Sequence, residues 1–398
     1  MTSAPLVQPS LPSAPETIMT DSPLFQPLQV GPLSLANRVV MAPMSRYFCP
    51  DEVPHQGMVD YYARRARHGV GLIISEATYV PHPSAHSYEA VPRFYGEDAL
   101  AGWKNVIDAV HAEGGKMFPQ LWHTGSFREV GMAPDPGVPG FGPSENLNTF
   151  ENTTHVTKPM TEEDIADVID AYATAAGSAQ ALGFDGVELH GAHGYLIDSF
   201  FWSETNRRTD DWGGALGERA RFGIELIKAI RAQVGPDFPI SFRWSQFKQQ
   251  DYRARLAETP EELENLLVPL SEAGVTLFHA STRRYWEAAF REVSELTLAG
   301  WTKKITGKPV IAVGSVGLGG VASTAKRAPS ETSSSSITFA DSDLDGVEKV
   351  EMLMDQGEFD LIAVGRAILA DPEWAEKVRQ GRLDDRLPFE KAQLESLY

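Results

Sequence analysis

The chain has 398 residues, 42% hydrophobic and 22% charged, the balance of a soluble globular protein with a full-sized core. Its formal net charge of −19 makes nucleic acid and anionic membrane surfaces poor partners. The single cysteine, Cys49, excludes an internal disulfide and any metal site built on several cysteines, and no apolar run approaches the ~20 residues that span a bilayer.

Residues 1–22 are rich in Pro, Ser and Thr and carry neither a positive start nor a continuous apolar centre. They are expected to be a flexible tail rather than a secretory or transit peptide, with the protein in the cytoplasm. Residues 24–38 alternate apolar and polar side chains about Gly31-Pro32, which predicts a β-hairpin. Residues 39–43 follow as a strand too uniformly apolar to face water on one side. Similar runs recur at 70–75, 116–121, 185–190, 239–243, 275–279, 309–313 and 360–364, making eight.

Amphipathic stretches of helical length separate them, among them 163–182, 218–234 and 260–273. Thr161 opens the first as an N-cap, and the carboxylates of Glu162, Glu163 and Asp164 complement the helix dipole. Eight buried strands alternating with helices favour a closed (β/α)8 TIM barrel over an open doubly wound sheet. No Gly-x-Gly-x-x-Gly follows the first strand, as a Rossmann domain would require. The expected fold is therefore one α/β barrel domain over residues 23–398, with an N-terminal hairpin. Long polar loops are expected after the third strand (130–160) and the seventh (318–346, which includes four consecutive serines). Pro119 breaks the rule that proline stays out of central strands.

In such a barrel the catalytic groups stand where the strands end. The first strand exits through Ala42, Pro43, Met44 and Ser45, the second through Glu76 and Ala77, the third through Gln120 and Trp122. The fourth opens into ELHGAHGYLID (188–198), which packs His190, His193 and Tyr195 around Gly191 and Gly194. By itself this stretch suits either a catalytic exit or a surface loop with incidental histidines. Arg243 ends the fifth strand, Gly314 and Ser315 the seventh, Gly365 and Arg366 the eighth. Glycines and an arginine at the last two exits suit a phosphate, or two ordinary turns.

These residues carry a family resemblance. NRVVMAPM (37–44), PQLWH (119–123), GVELHGAHGYL (186–196), NRRTDDWGG (206–214) and LIAVGRA (361–367) occur in order at the expected barrel positions. Over residues 24 to about 382 the chain resembles the Old Yellow Enzyme family of FMN-dependent ene-reductases. The resemblance implies non-covalent FMN, reduction by NAD(P)H, and hydride delivery to the β-carbon of an activated alkene, a small-molecule partner. It casts His190 and His193 as donors to the substrate carbonyl and Tyr195 as the acid that protonates the α-carbon. Gln120 and Arg243 are implied at the flavin's pyrimidine edge, with Ala42, Pro43, Met44, Ser45 and Ala77 around the ring. Gly314, Ser315, Gly365 and Arg366 are implied at its phosphate.

Tyr47, Trp122, Tyr285 and Trp286 are candidate substrate walls, and Tyr47 and Trp122 could equally be packing. Ser45 stands where relatives carry Thr or Cys, and Trp212, Ala215 and Gly217 depart from the usual residues at a helix start. Both histidines are to serve one ligand, yet alternate strand residues face opposite ways. The strand is therefore expected to end near His190, with Gly191 turning the chain. An amine N-demethylase or dehydrogenase on the same barrel is the alternative activity, and a monomer or homo-oligomer is expected. A degenerate barrel that only binds would have lost the histidine pair or the tyrosine, and this chain keeps all three.

Overall fold

The computed structural model describes residues 21–148, 155–317 and 346–398. The expected tail up to residue 20 and nearly all of the loop expected after the seventh strand lie outside the described residues. Eight parallel strands close into a barrel: β1 (Val39–Met41), β2 (Leu72–Tyr79), β3 (Met117–Trp122), β4 (Val187–His190), β5 (Ile240–Ser245), β6 (Leu277–Ser281), β7 (Val310–Val313) and β8 (Leu361–Val364). Each pairs with the next in sequence, and β8 returns to β1. The helices that cross between them include α1 (Gln56–Arg67), α2 (Glu97–Ala112), α3 (Glu162–Leu182), α4 (Arg221–Val234), α5 (Pro260–Ala273), α6 (Leu298–Thr306) and α7 (Gly346–Asp355). Thr161 caps α3 as expected: its hydroxyl accepts from Asp164 N (3.1 Å), and the Asp164 carboxylate accepts from Thr161 N (2.8 Å).

The barrel interior is layered by polarity. Val40, Leu72, Ile74, Phe118, Leu277, Ile311 and Leu361 form one apolar cluster with Val30, Leu33 and Leu35 of the hairpin. That hairpin is shorter than the alternation suggested, Leu28–Val30 against Leu33–Leu35 around Gly31 at φ 58. Pro32 and Leu33 lie beside Lys116, Asp185 and Pro239, which precede β3, β4 and β5, so the hairpin plugs the end where strands begin. The opposite end is left for chemistry.

Three strands run two or more residues beyond the ends of their apolar runs. β2 continues to Tyr79, so Glu76 and Ala77 lie within it rather than at its exit. β5 runs to Ser245 and β6 from Leu277 to Ser281. Pairing continues to Ser281, whose hydroxyl meets Arg243 and His193. Pro119 is also accounted for. The β2–β3 register jumps from Ile74↔Phe118 to Ala77↔Gln120, so β2 bulges where Pro119 has no N–H to give. The next amide, Gln120 N, donates instead to Ser75 Oγ at 3.0 Å.

After β3 the chain makes an excursion held by one side chain. The buried Arg128 guanidinium donates to the carbonyls of Val138, His86, Ala133, Met132 and Asp135 at 2.6–2.9 Å, using all five of its N–H groups. Short pairings of Phe141–Gly142 with Lys158–Pro159 and of Leu147–Asn148 with His155–Val156 complete the described part of this excursion.

Truncating the plug should cost stability. Leu35→Ala, at a fully buried position, is expected to lower the unfolding free energy by about 3 kcal/mol in urea titrations, through lost burial and the cavity left behind.

Candidate active site

Above the apolar layers the interior turns polar around one carboxylate. Glu188, on β4, is fully buried. Its Oε1 accepts from Gln120 Nε2 (2.8 Å) on β3; its Oε2 accepts from Ser241 Oγ (2.9 Å) on β5 and faces His279 Nδ1 (2.8 Å) on β6. Burial pushes the Glu188 carboxyl up, but the His279 contact, Arg243 and the Ser241 hydroxyl together hold it below the usual carboxylate range. Burial lowers the His279 pKa against the raising effect of Glu188, whose carboxylate its Nδ1 meets. The balancing charge is Arg243, opposite His190 on β5, and burial lowers its pKa without discharging it. Arg243 donates one bond to Ser281 Oγ (3.3 Å), while its buried Nε has no protein partner.

The exit of β4 is built on this floor. Gly191 does not make the expected turn. Its N–H still pairs with Arg243 O (2.9 Å), and a Cβ there would come within 3.0 Å of that carbonyl and 2.5 Å of the Phe242 ring, so glycine serves close approach. The turn is made by His193 and Gly194, at φ 67 and 86. A side chain on Gly194 would also collide with Gln250 Oε1.

The turned segment is fastened to the chain after β5. His193 N donates to Ser245 Oγ (3.0 Å), and Gln249 N donates to His193 O (3.1 Å). Beneath it, the fully buried Asp198 accepts from Gly194 N (2.6 Å) and pairs with the equally buried Lys248 (2.7 Å). The result brings His190, His193 and Tyr195 together, with ring centroids 5.1 Å apart for the histidines and 4.8 Å for His190 and Tyr195. His193 Nε2 bonds Ser281 Oγ (2.9 Å), and His190 Nδ1 is buried with no partner.

Burial sets the protonation of all three groups. It pushes the His190 pKa down to about 3, with Arg243 adding to the effect, and it holds His193 well below the ordinary histidine range. Burial pushes Tyr195 well above the ordinary phenol range, with Tyr88 and Tyr47 contributing. At neutral pH the wall presents two neutral imidazoles and one intact phenol.

The other exits converge on the same mouth. Ala77 and Gln120 are cross-strand neighbours, and Gln120 turns its amide nitrogen down to Glu188. Ala42 N donates to Val364 O (3.0 Å), continuing the β1–β8 pairing past Met41. Pro43, Met44 and Ser45 follow it, half-buried, and a Cβ on Gly365 would touch Met44 Sδ at 3.4 Å. At β7, Gly314 has φ 150 and lies so near Thr282 O that a Cβ would come within 2.6 Å of it, while Ser315 donates to Arg283 O (2.9 Å). Burial lowers the Arg366 pKa, and the positive charge of Arg283 lowers it further. The Arg283 guanidinium lies over the Tyr252 ring and that of Arg366 over the Phe389 ring.

Of the expected walls, Trp122 meets Tyr195 edge-on at 4.8 Å and stacks on Tyr79 and Tyr88. Tyr47, half exposed at φ 59, faces Tyr88 at 6.0 Å. Tyr285 and Trp286 are not brought to this wall. Tyr285 is buried against Phe359 with its hydroxyl on Gly346 O (3.0 Å), and Trp286 packs under Lys349 of α7. Aromatic side chains in that loop found a helix to cover rather than the barrel mouth.

A model of the NADH:flavin oxidoreductase / NADH oxidase family matches residues 23–333. The chain belongs to this family, that of Old Yellow Enzyme. An NADH oxidase of Thermoanaerobacter brockii is 35% identical over 376 residues, covering 92% of this chain but 52% of the relative. A putative 12-oxophytodienoate reductase 2 of Oryza sativa subsp. japonica is 38% identical over 215 residues, 54% of this chain and 57% of the relative. The chain thus spans little more than half the length of these two relatives. A solved structure of morphinone reductase in complex with tetrahydroNAD, 29% identical, matches with a TM-score of 0.75 over 93% of each chain. No described helix is long and apolar enough to cross a membrane.

Within this family fold, sequence reasoning missed the supports. Glu188 was legible as a charge in an apolar run, and Asp198 as an acid among Leu196, Ile197 and Phe200. Ser281, Gln249 and Lys248 gave no such signal, because strand ends were placed too early or their loop lacked a motif.

The depressed histidines make acid stability testable. An unfolded chain protonates His190 near the ordinary 6.5, the folded chain only near about 3, so the unfolded state binds more protons in between. Stability contributed by the neutral ring is present above about pH 6.5 and falls as pH drops toward about 3. Urea midpoints for His190→Gln should decline less over this window than wild type.

Proposed function

We propose that the protein is an FMN-dependent ene-reductase that uses NAD(P)H to reduce an α,β-unsaturated carbonyl or similarly activated alkene. One observation carries the reading: His190, His193 and Tyr195 share a largely buried wall beside Arg243, whose Nε–H has no protein partner. FMN suits the residues present. An unpartnered buried guanidinium N–H needs an acceptor, which the flavin's carbonyl edge offers, and the Gly314, Ser315, Gly365 and Arg366 turns suit its phosphate. Ala42, Pro43, Met44, Ser45, Ala77 and Gln120 would border the ring. When bound, FMN supplies the hydride chemistry, from nicotinamide to the alkene β-carbon.

The chain's own groups do the rest. His190 and His193 bind the substrate carbonyl oxygen and strengthen their hydrogen bonds as enolate charge grows on it, an effect worth ~3 kcal/mol per donor. Neutral rings suit this role because they leave the oxyanion unprotonated. Tyr195 holds its proton through burial and releases it to the α-carbon. Trp122 and Tyr47 bound the substrate space and restrict water. The wall offers hydrogen-bond donors, which suit an incoming carbonyl better than the cationic amine of a demethylase.

Purified protein should be yellow and should oxidise NADPH or NADH anaerobically with cyclohexenone as acceptor; a colourless protein that takes up no FMN overturns the reading. Tyr195→Phe is expected to slow the alkene half-reaction about 100-fold while sparing flavin reduction, as stopped-flow absorbance would record. Arg243→Met should weaken FMN binding at least tenfold, read by flavin fluorescence on dilution.

A further inference from the structure

Tyr195 is nearly buried, and its hydroxyl has a specific neighbour. Gln249 Nε2 donates to Tyr195 Oη at 2.9 Å. Gln249 is itself fixed on the segment that follows β5. Its N–H bonds His193 O, the residue before it pairs with Asp198 in a fully buried ion pair, and His193 and Lys248 form a parallel bridge. The same short segment therefore holds the backbone of the histidine loop and the hydroxyl of the tyrosine. Tyr88 also hydrogen-bonds Tyr195 and raises its pKa, whereas the Gln249 contact lowers it.

An amide N–H on a phenol oxygen has two consequences. It fills one lone pair, so the phenol's own proton must point elsewhere. It also strengthens as the oxygen becomes an anion, because charge-assisted hydrogen bonds are roughly twice as strong as neutral ones. We propose that Gln249 is a positioning residue for proton delivery: its side-chain amide aims the Tyr195 hydroxyl and stabilises the phenolate left when the proton goes to the substrate α-carbon. In that step the Tyr195 O–H bond breaks, a C–H bond forms at the α-carbon, and the phenolate later regains a proton from water. The inference rests on the reading of Tyr195 as proton donor.

Stopped-flow measurement of both half-reactions, with NADPH and then cyclohexenone, tests it in the FMN-loaded protein. Gln249→Leu should slow the alkene half-reaction about tenfold, with the slowing confined to that half and the enone KM unchanged. Gln249→Glu supplies an isosteric group that donates only when protonated, so its alkene rate should rise as pH falls, beyond any change in wild type. In a Tyr195→Phe background, Gln249→Leu should add no further slowing. Equal loss in both half-reactions, the same tenfold loss in the Tyr195→Phe background, or full activity of Gln249→Glu at high pH would overturn the proposal. Slowed Tyr195→Phe beside an unaffected Gln249→Leu overturns this inference alone. An unslowed Tyr195→Phe overturns the proton-donor reading and this inference with it.

Discussion

A single carboxylate inside the barrel sets the terms for everything above it. Glu188 is out of reach of water, so each of its oxygens must be met by protein donors, and three neighbouring strands supply them through Gln120, Ser241 and His279. Its charge in turn makes a buried Arg243 tolerable. That guanidinium carries a positive charge set against Glu188, and removing either partner would strand the other. The register of β3, β4, β5 and β6 is therefore fixed by electrostatics as well as by apolar packing, since slipping one strand by one residue would turn its polar member out of the barrel.

The histidine and tyrosine wall depends on burial in a second way. The same exclusion of water that keeps His190 and His193 unprotonated keeps Tyr195 protonated, because desolvation opposes charge of either sign. Two kinds of side chain with opposite acid–base behaviour are thus held in their neutral forms by one cause. The geometry comes from the segment after β5, which clamps the turn at His193 and Gly194 through backbone bonds and the Asp198–Lys248 pair.

Legibility followed physical scale. Uniform apolar runs reveal buried parallel strands, and eight of them with helices between made the barrel readable. The wall residues were readable because histidines and a tyrosine at a strand exit are unusual, and because the motif order matches a family. Boundaries were not, since β5 and β6 run on to Ser245 and Ser281, whose partners lie in the loop after β4, at Phe247 and on Arg243. The pivot was misplaced for a related reason: Gly191 and Gly194 look alike in sequence, and only the neighbouring Phe242 ring and Arg243 carbonyl distinguish close approach from a turn. Tyr285 and Trp286 show the limit of composition, because aromatic residues suit a ligand wall and a helix contact equally well.

The Arg128 hub has a consequence for Tyr195. Five carbonyls around one guanidinium cannot be released one at a time without leaving N–H groups buried and unpaired, so the excursion after β3 detaches cooperatively or stays docked. Phe127, the preceding residue, packs on Tyr195 with ring centroids 4.7 Å apart. Undocking the hub would strip one apolar cover from the phenol and admit water to it. A lysine at position 128, with three donors for five carbonyls, would hold that cover less firmly.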